Sequence, residues 1–182
     1  MTDAGDPSTT LPDGNIVLTG FMGTGKTSVG RSLAGRLGRR FVDTDEWIAE
    51  AHGSIPEIFA ARGEAGFRAL ERQLAEELSG RRGLIVSTGG GMLLVPETRA
   101  VLEASGRVFC LTAEPSTIVQ RVRADGLATR PLLAGDDPAE RIRALLAERA
   151  ASYAAFESVV TDGREVDEIV DEIVRRVAFG PA

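Results

Sequence analysis

Gly20-Phe21-Met22-Gly23-Thr24-Gly25-Lys26-Thr27 matches the phosphate-binding pattern G-x-x-x-x-G-K-[ST] over its full length. Lys26 is the only lysine among 21 basic residues, the rest being arginine. A compact ammonium is retained where a charged group must follow a tight glycine turn, a place that the bulkier planar guanidinium does not suit. In such a loop the backbone amides and the positive end of the following helix cradle phosphates. Lys26 then bridges the β- and γ-phosphates, and the Thr27 hydroxyl holds Mg²⁺.

Asp43-Thr44-Asp45 follows a short apolar run. If that run is a strand, its carboxyl end is where ligands bind in open α/β sheets. Its two carboxylates then face different sides, one toward the metal and one toward a second substrate. Asp45 has a second reading, as the cap of a helix over 46–51. The run Leu84-Ile85-Val86-Ser87 ends without an acidic residue, which leaves Asp43 as the nearest carboxylate for the metal side. Thr88-Gly89-Gly90-Gly91 exposes backbone amides that can approach an anion or a hydroxyl-rich ligand, or else forms a plain turn.

Three arginines complete the chemistry. In a helix over 138–156, Ile142, Leu145, Leu146, Tyr153 and Phe156 form an apolar stripe, and Arg149 falls on it. An inward guanidinium needs a partner: an internal carboxylate, or the carboxylate of a ligand matched by its planar fork. Arg68 lies at the edge of the face made by Phe67, Leu70, Leu74 and Leu78, with Glu71 at i+3 to orient it or simply to share a solvated surface. Arg130, beside Pro131, can fold over phosphates and neutralise charge during transfer, or stand exposed.

Alternating strand and helix patterns must position these groups. Strands are expected near 15–20, 39–43, 83–88, 107–112 and 158–162, with helices between them. The clearest helix covers 165–177, where Val166, Ile169, Val170, Ile173, Val174 and Val177 share a face. This rhythm implies a parallel sheet covered on both sides. Residues 124–138 interrupt it with Gly126, Pro131, Gly135 and Pro138 and read as an exposed loop of the kind that forms lids. Residues 1–14 read as a polar disordered tail rather than a signal peptide, 15–178 as one domain and 179–182 as a second tail.

Composition sets further bounds. A 182-residue chain with 43% hydrophobic residues is large enough for a single cored domain. A net charge of -6 gives no overall basic footprint for nucleic acid. No run is long and apolar enough to suggest a membrane partner. One cysteine, Cys110, and one histidine, His52, exclude zinc sites and Cys/His catalysis, so any general base is a carboxylate. The lone cysteine forms no disulfide within the chain, which fits a cytoplasmic location.

Taken together, the phosphate loop, Asp43-Thr44-Asp45, Gly63-Glu64-x-x-Phe67-Arg68-x-x-Glu71, the triple glycine, Arg130-Pro131-Leu132-Leu133 and Arg149-x-x-x-Tyr153 resemble, in order and spacing, the shikimate kinases. The resemblance spans about residues 15–177. It implies a nucleoside monophosphate kinase-like, three-layer α/β/α fold with a five-stranded parallel sheet in order 2-3-1-4-5. It also implies transfer of the ATP γ-phosphoryl to the 3-hydroxyl of shikimate, on the route to chorismate, with Mg²⁺ as cofactor. Separately, no cysteine framework or exposed apolar stripe argues for an obligate oligomer, so a monomer is the default expectation.

By that resemblance ATP meets Gly23, Thr24, Gly25, Lys26, Thr27 and Ser28, and Thr27 and Asp43 serve the metal. Asp45 binds the reacting hydroxyl and can act as base. Arg68, supported by Glu71, and Arg149 grip the shikimate carboxylate, and Gly89, Gly90 and Gly91 complete the pocket, which involves helices over about 44–79. Arg130 closes from the lid, Arg123 is a second arginine before it, and Arg164 is where the family often has a nucleotide-contacting basic residue. The alternatives are a kinase of another small polyol acid such as gluconate, and a non-catalytic nucleotide-binding regulator on the same scaffold. Trp47, two residues from Asp45, is expected to report acceptor binding by its fluorescence.

Overall fold

The computed structural model describes residues 13–125 and 137–179. Strands β1 (Asn15–Thr19), β2 (Arg40–Asp43), β3 (Leu84–Ser87), β4 (Gly106–Thr112) and β5 (Glu157–Val160) are each within two residues of expectation. They form one parallel sheet in the order β2-β3-β1-β4-β5. Helices α1 (Lys26–Leu37), α2 (Thr44–His52), α3 (Ile55–Ser79), α4 (Pro96–Ser105), α5 (Pro115–Asp125), α6 (Pro138–Tyr153) and α7 (Val166–Phe179) surround it, and Met92–Leu94 makes one 3-10 turn.

Strand alternation divides the core between the two faces of the sheet. Val17, Val42 and Val86 pack against Phe67, Leu70 and Leu74 of α3. Ile16, Leu18, Ile85 and Phe109 pack against Val29 and Leu33 of α1 and Ile169 and Ile173 of α7. A third cluster joins Phe21 and Cys110 to Ile118 and Val122 of α5 and to Ile142, Leu145 and Tyr153 of α6. Burial pushes the Cys110 thiol up to about 11, so it is an inert core group.

Two local devices shape the layer that covers β2 and β3. Asn15 pins the start of the sheet to the end of α3: its side chain donates to the carbonyls of Leu78 and Arg81 and accepts from Leu84 N. α3 begins with a capping box between Ser54 and Glu57 and bends at Gly63, whose φ of 65° and ψ of -176° interrupt the helix.

The expected lid over 124–138 meets the structure only at its ends, where α5 finishes and α6 starts with Asp137 as its cap. Its centre, with Arg130, lies outside the described residues, as do residues 1–12 and 180–182. Among the described residues no helix is long and apolar enough to cross a membrane.

Candidate active site

β1 ends directly in the phosphate loop, and α1 leaves it at Lys26. Gly23 and Gly25 have φ of 76° and 92°, left-handed values that suit glycine. Thr24 closes the turn by donating to the Phe21 carbonyl at 2.8 Å. Lys26 Nζ curls back over the loop and donates to the carbonyls of Gly20 and Phe21, each at 2.9 Å.

Asp43, Thr44 and Asp45 each have a separate task. Asp43 Oδ2 accepts from the Thr27 hydroxyl at 3.0 Å. Its Oδ1 accepts from the amides of Asp45 and Glu46, so the N-cap of α2 is Asp43 and not Asp45, and the helix starts at Thr44 rather than at 46. Thr44 is fully buried, and its hydroxyl accepts from Gly89 N at 2.9 Å. Asp45, released from capping, faces the triple glycine. Burial pushes its carboxyl above the usual carboxylate range, the charge of Asp43 adds to this, and Lys26 and Arg68 oppose it.

The triple glycine follows β3, which lies between β1 and β2, and it is where the arms of the site converge. A methyl at Gly89 would lie 2.6 Å from Asp45 Oδ1 and 3.3 Å from Glu71 Oε1. One at Gly91 would lie 2.8 Å from Arg68 Nη1. The close approach of these side chains therefore requires glycine at both positions. Gly90 presents its carbonyl to α6: Tyr153 Oη donates to it at 2.9 Å and Arg149 Nη1 at 3.4 Å.

Arg68 donates to Glu71 at 2.7 Å and to Glu64 at 3.1 Å. Glu71 is only 2% exposed, which makes this a fixed mount rather than a solvated pair. Burial raises the Glu71 carboxyl, while the hydrogen bond and charge of Arg68 hold it down. Burial disfavours the Arg68 guanidinium, but Glu71 and Glu64 outweigh it and the net shift is upward. Arg149 is 9% exposed and lies over the Phe21 ring at 5.4 Å, so this inward arginine rests on the phosphate loop itself.

On the far side of the loop a cleft of about 260 Å³ is lined by Gly23, Thr24, Gly25, Ser28, Arg121 and Arg164, with Val166 and Ile169 as apolar wall. Arg164 is held by Glu172 at 2.6 Å and by the carbonyls of Val160 and Glu168. Arg123 is exposed on α5. Of the two α5 arginines Arg121 and Arg123, Arg121 reaches the loop: it donates to the Gly23 carbonyl at 3.2 Å and to Thr161.

Trp47 does not face this site. It packs under α2 with the guanidiniums of Arg40 and Arg81 over its ring, at the end of the sheet where β2 begins. Sequence reasoning missed the roles of Thr44, Arg121 and Tyr153 in the architecture of the site. Tyr153 alone carried a signal, one helical turn beyond Arg149 on the same stripe.

Among the described residues no group of three or more Asp, Glu, His or Cys could cage a metal. The Thr27 hydroxyl paired with the Asp43 carboxylate is instead a hard-oxygen set of the kind that serves a magnesium ion carried mainly by substrate phosphates.

The family model for shikimate kinase matches residues 22–178. A shikimate kinase of Symbiobacterium thermophilum is 46% identical over 166 residues, covering 90% of this chain and 95% of that protein. One from Geobacter metallireducens is 48% identical over 161 residues, covering 87% and 89%. The solved structure of a shikimate kinase from Acinetobacter baumannii in complex with shikimate superposes with a TM-score of 0.84 at 36% identity, covering 90% of this chain and 92% of that one.

Proposed function

The chain belongs to the shikimate kinase family, and on that premise we propose that it transfers the γ-phosphoryl of ATP to the 3-hydroxyl of shikimate, with Asp45, Arg68 and Arg149 holding the acceptor. The observation that carries this assignment is the convergence of these three side chains on one glycine loop beside the phosphate loop. Two guanidiniums suit a carboxylate, and a carboxylate of raised basicity suits a hydroxyl.

Phosphoryl transfer depends on alignment and charge neutralisation more than on covalent chemistry. Lys26, whose ammonium lies over the loop at the carbonyls of Gly20 and Phe21, is placed to meet the phosphate oxygens. Thr27 and Asp43 would hold Mg²⁺, which when bound would shield the phosphate charge. Asp45 orients the 3-hydroxyl and takes its proton. Arg68, paired with Glu71, and Arg149, lying over Phe21, fix the ring through its carboxylate. The cleft that Arg121 and Arg164 line opens directly onto the phosphate loop, and this supports placing the nucleoside half of ATP there beside Arg164. For Arg130, outside the described residues, the resemblance implies a part in neutralising the phosphate charge.

The test is ADP release with Mg²⁺-ATP in the presence of shikimate, quinate or gluconate, beside a control without acceptor. Release with shikimate alone is expected. Release with gluconate and not with shikimate would move the substrate, and no release above control despite ATP binding would leave a regulator.

A further inference from the structure

We infer that Tyr153 is a positioning residue that sets the aim of Arg149 at the acceptor carboxylate by occupying the carbonyl of Gly90. The inference rests on Arg149 being one of the groups that bind that carboxylate.

Three observations carry it. Arg149 and Tyr153 are one turn apart on the buried stripe of α6, so their side chains are neighbours. Both reach for the same acceptor, but unequally: the phenol donates to Gly90 O at 2.9 Å, whereas the Arg149 contact is long at 3.4 Å. The guanidinium is also held over the Phe21 ring. The phenol is 8% exposed, and burial raises its pKa against the hydrogen bond and charge of Arg149, so it stays protonated and available as a donor.

How many partners the carbonyl needs decides the outcome. With the phenol in place, Gly90 O already has its short donor and the phenol oxygen itself accepts from Arg149, so the guanidinium keeps only a long contact to Gly90 O and its other N–H groups are left to face a ligand. Without the phenol oxygen, the guanidinium is the donor at hand for Gly90 O. Arg149 then shortens its 3.4 Å contact, and an incoming carboxylate must break that bond to be gripped. The loss appears in acceptor binding and not in phosphoryl transfer, because Asp45 and not Arg149 meets the reacting hydroxyl.

The test is a double-mutant cycle in the full chain. Phe fills the space of Tyr, so Tyr153→Phe retains the fold. It is expected to raise the acceptor KM about fivefold, the order of one hydrogen bond at a part-buried site. kcat and the KM for ATP are expected to remain within about twofold of wild type, the pattern of lost uniform binding. In an Arg149→Ala background the same substitution is expected to have no further effect on acceptor KM. An acceptor with an esterified carboxylate should be used equally by wild type and Tyr153→Phe. Additive effects in the cycle, or a wild-type acceptor KM in Tyr153→Phe, would overturn the role of Tyr153. A wild-type acceptor KM in Arg149→Ala alone would instead overturn the carboxylate assignment on which it rests.

Discussion

The Thr27 hydroxyl donates to Asp43 Oδ2 at 3.0 Å and so ties the first turn of α1 to the end of β2. The other oxygen of the same carboxylate caps α2. One oxygen of Asp43 is thus tied to Thr27 and the other to the start of α2; with the metal duty proposed for the first, substitutions can separate the two. Asn caps as well as Asp, so Asp43→Asn is expected to keep its melting temperature while the half-saturating Mg²⁺ concentration rises about ten- to hundredfold. Asp43→Ala is expected to lose about 1 kcal/mol of stability in addition. Metal titrations of the rate, beside thermal melts, read both effects.

Asp45→Asn is expected to lower kcat by about 10²- to 10⁴-fold with ATP affinity retained. It also carries a stability signature. Asp45 titrates above its ordinary value in the folded protein, chiefly because it is buried. Its stabilising contribution is thus complete below the unfolded-state pKa and is lost as pH rises through the folded one. The Asn variant is spared that loss, so it should melt above wild type at pH 7.5, with the gap closing as the solution is acidified. A variant that melts below wild type at pH 7.5 would show that the Asp45 carboxylate is stabilised by its neighbours.

Arg68→Ala removes the charged hydrogen bond of a carboxylate that is only 2% exposed. A higher acceptor KM and a loss of about 2 kcal/mol are expected at neutral pH. Glu71, already shifted upward by burial, then shifts further, so the variant should regain stability relative to wild type as pH falls and Glu71 takes a proton. Denaturant melts at pH 5 and pH 8 measure the difference.

Gly91→Ala and Gly89→Ala are expected to differ in kind. The added methyl at Gly91 meets the end of the Arg68 side chain, which can swing aside, so the variant should fold and show a raised acceptor KM. The methyl at Gly89 meets Asp45 and the mounted Glu71, so kcat should fall as well. Steady-state kinetics with varied acceptor separate the two patterns.

The strands are legible from apolar runs, and Arg149 and the Arg68–Glu71 mount from helical spacing. The order of the strands is not: it enters through family resemblance, because nothing in an apolar run names its neighbour. Thr44, Arg121 and Tyr153 reach Gly89, Gly23 and Gly90 across 45, 98 and 63 residues of chain, and no local pattern encodes such a bond. Trp47 shows the opposite error. Two positions along a helix turn the side chain about 200°, so nearness to Asp45 in sequence puts Trp47 on the other face. Of the two readings of Asp45, the capping one gives way because Asp43, an equally good capping residue, takes that place with Oδ1 accepting from the amides of Asp45 and Glu46.

The position of β3 between β1 and β2 has a kinetic side. Every pairing that brings the triple glycine to the phosphate loop is non-local, since Ile16 lies against Ile85 and Val42 against Val86. Closure of these long loops must therefore precede assembly of the acceptor surface, a non-local step of the kind that slows folding, whereas the phosphate loop is built from neighbouring segments. No early, locally folded intermediate has an acceptor site to be trapped by ligand. Acceptor binding instead selects the completed sheet and slows its loss, so it protects α3 and α6 from exchange and proteolysis together with the strands they cover.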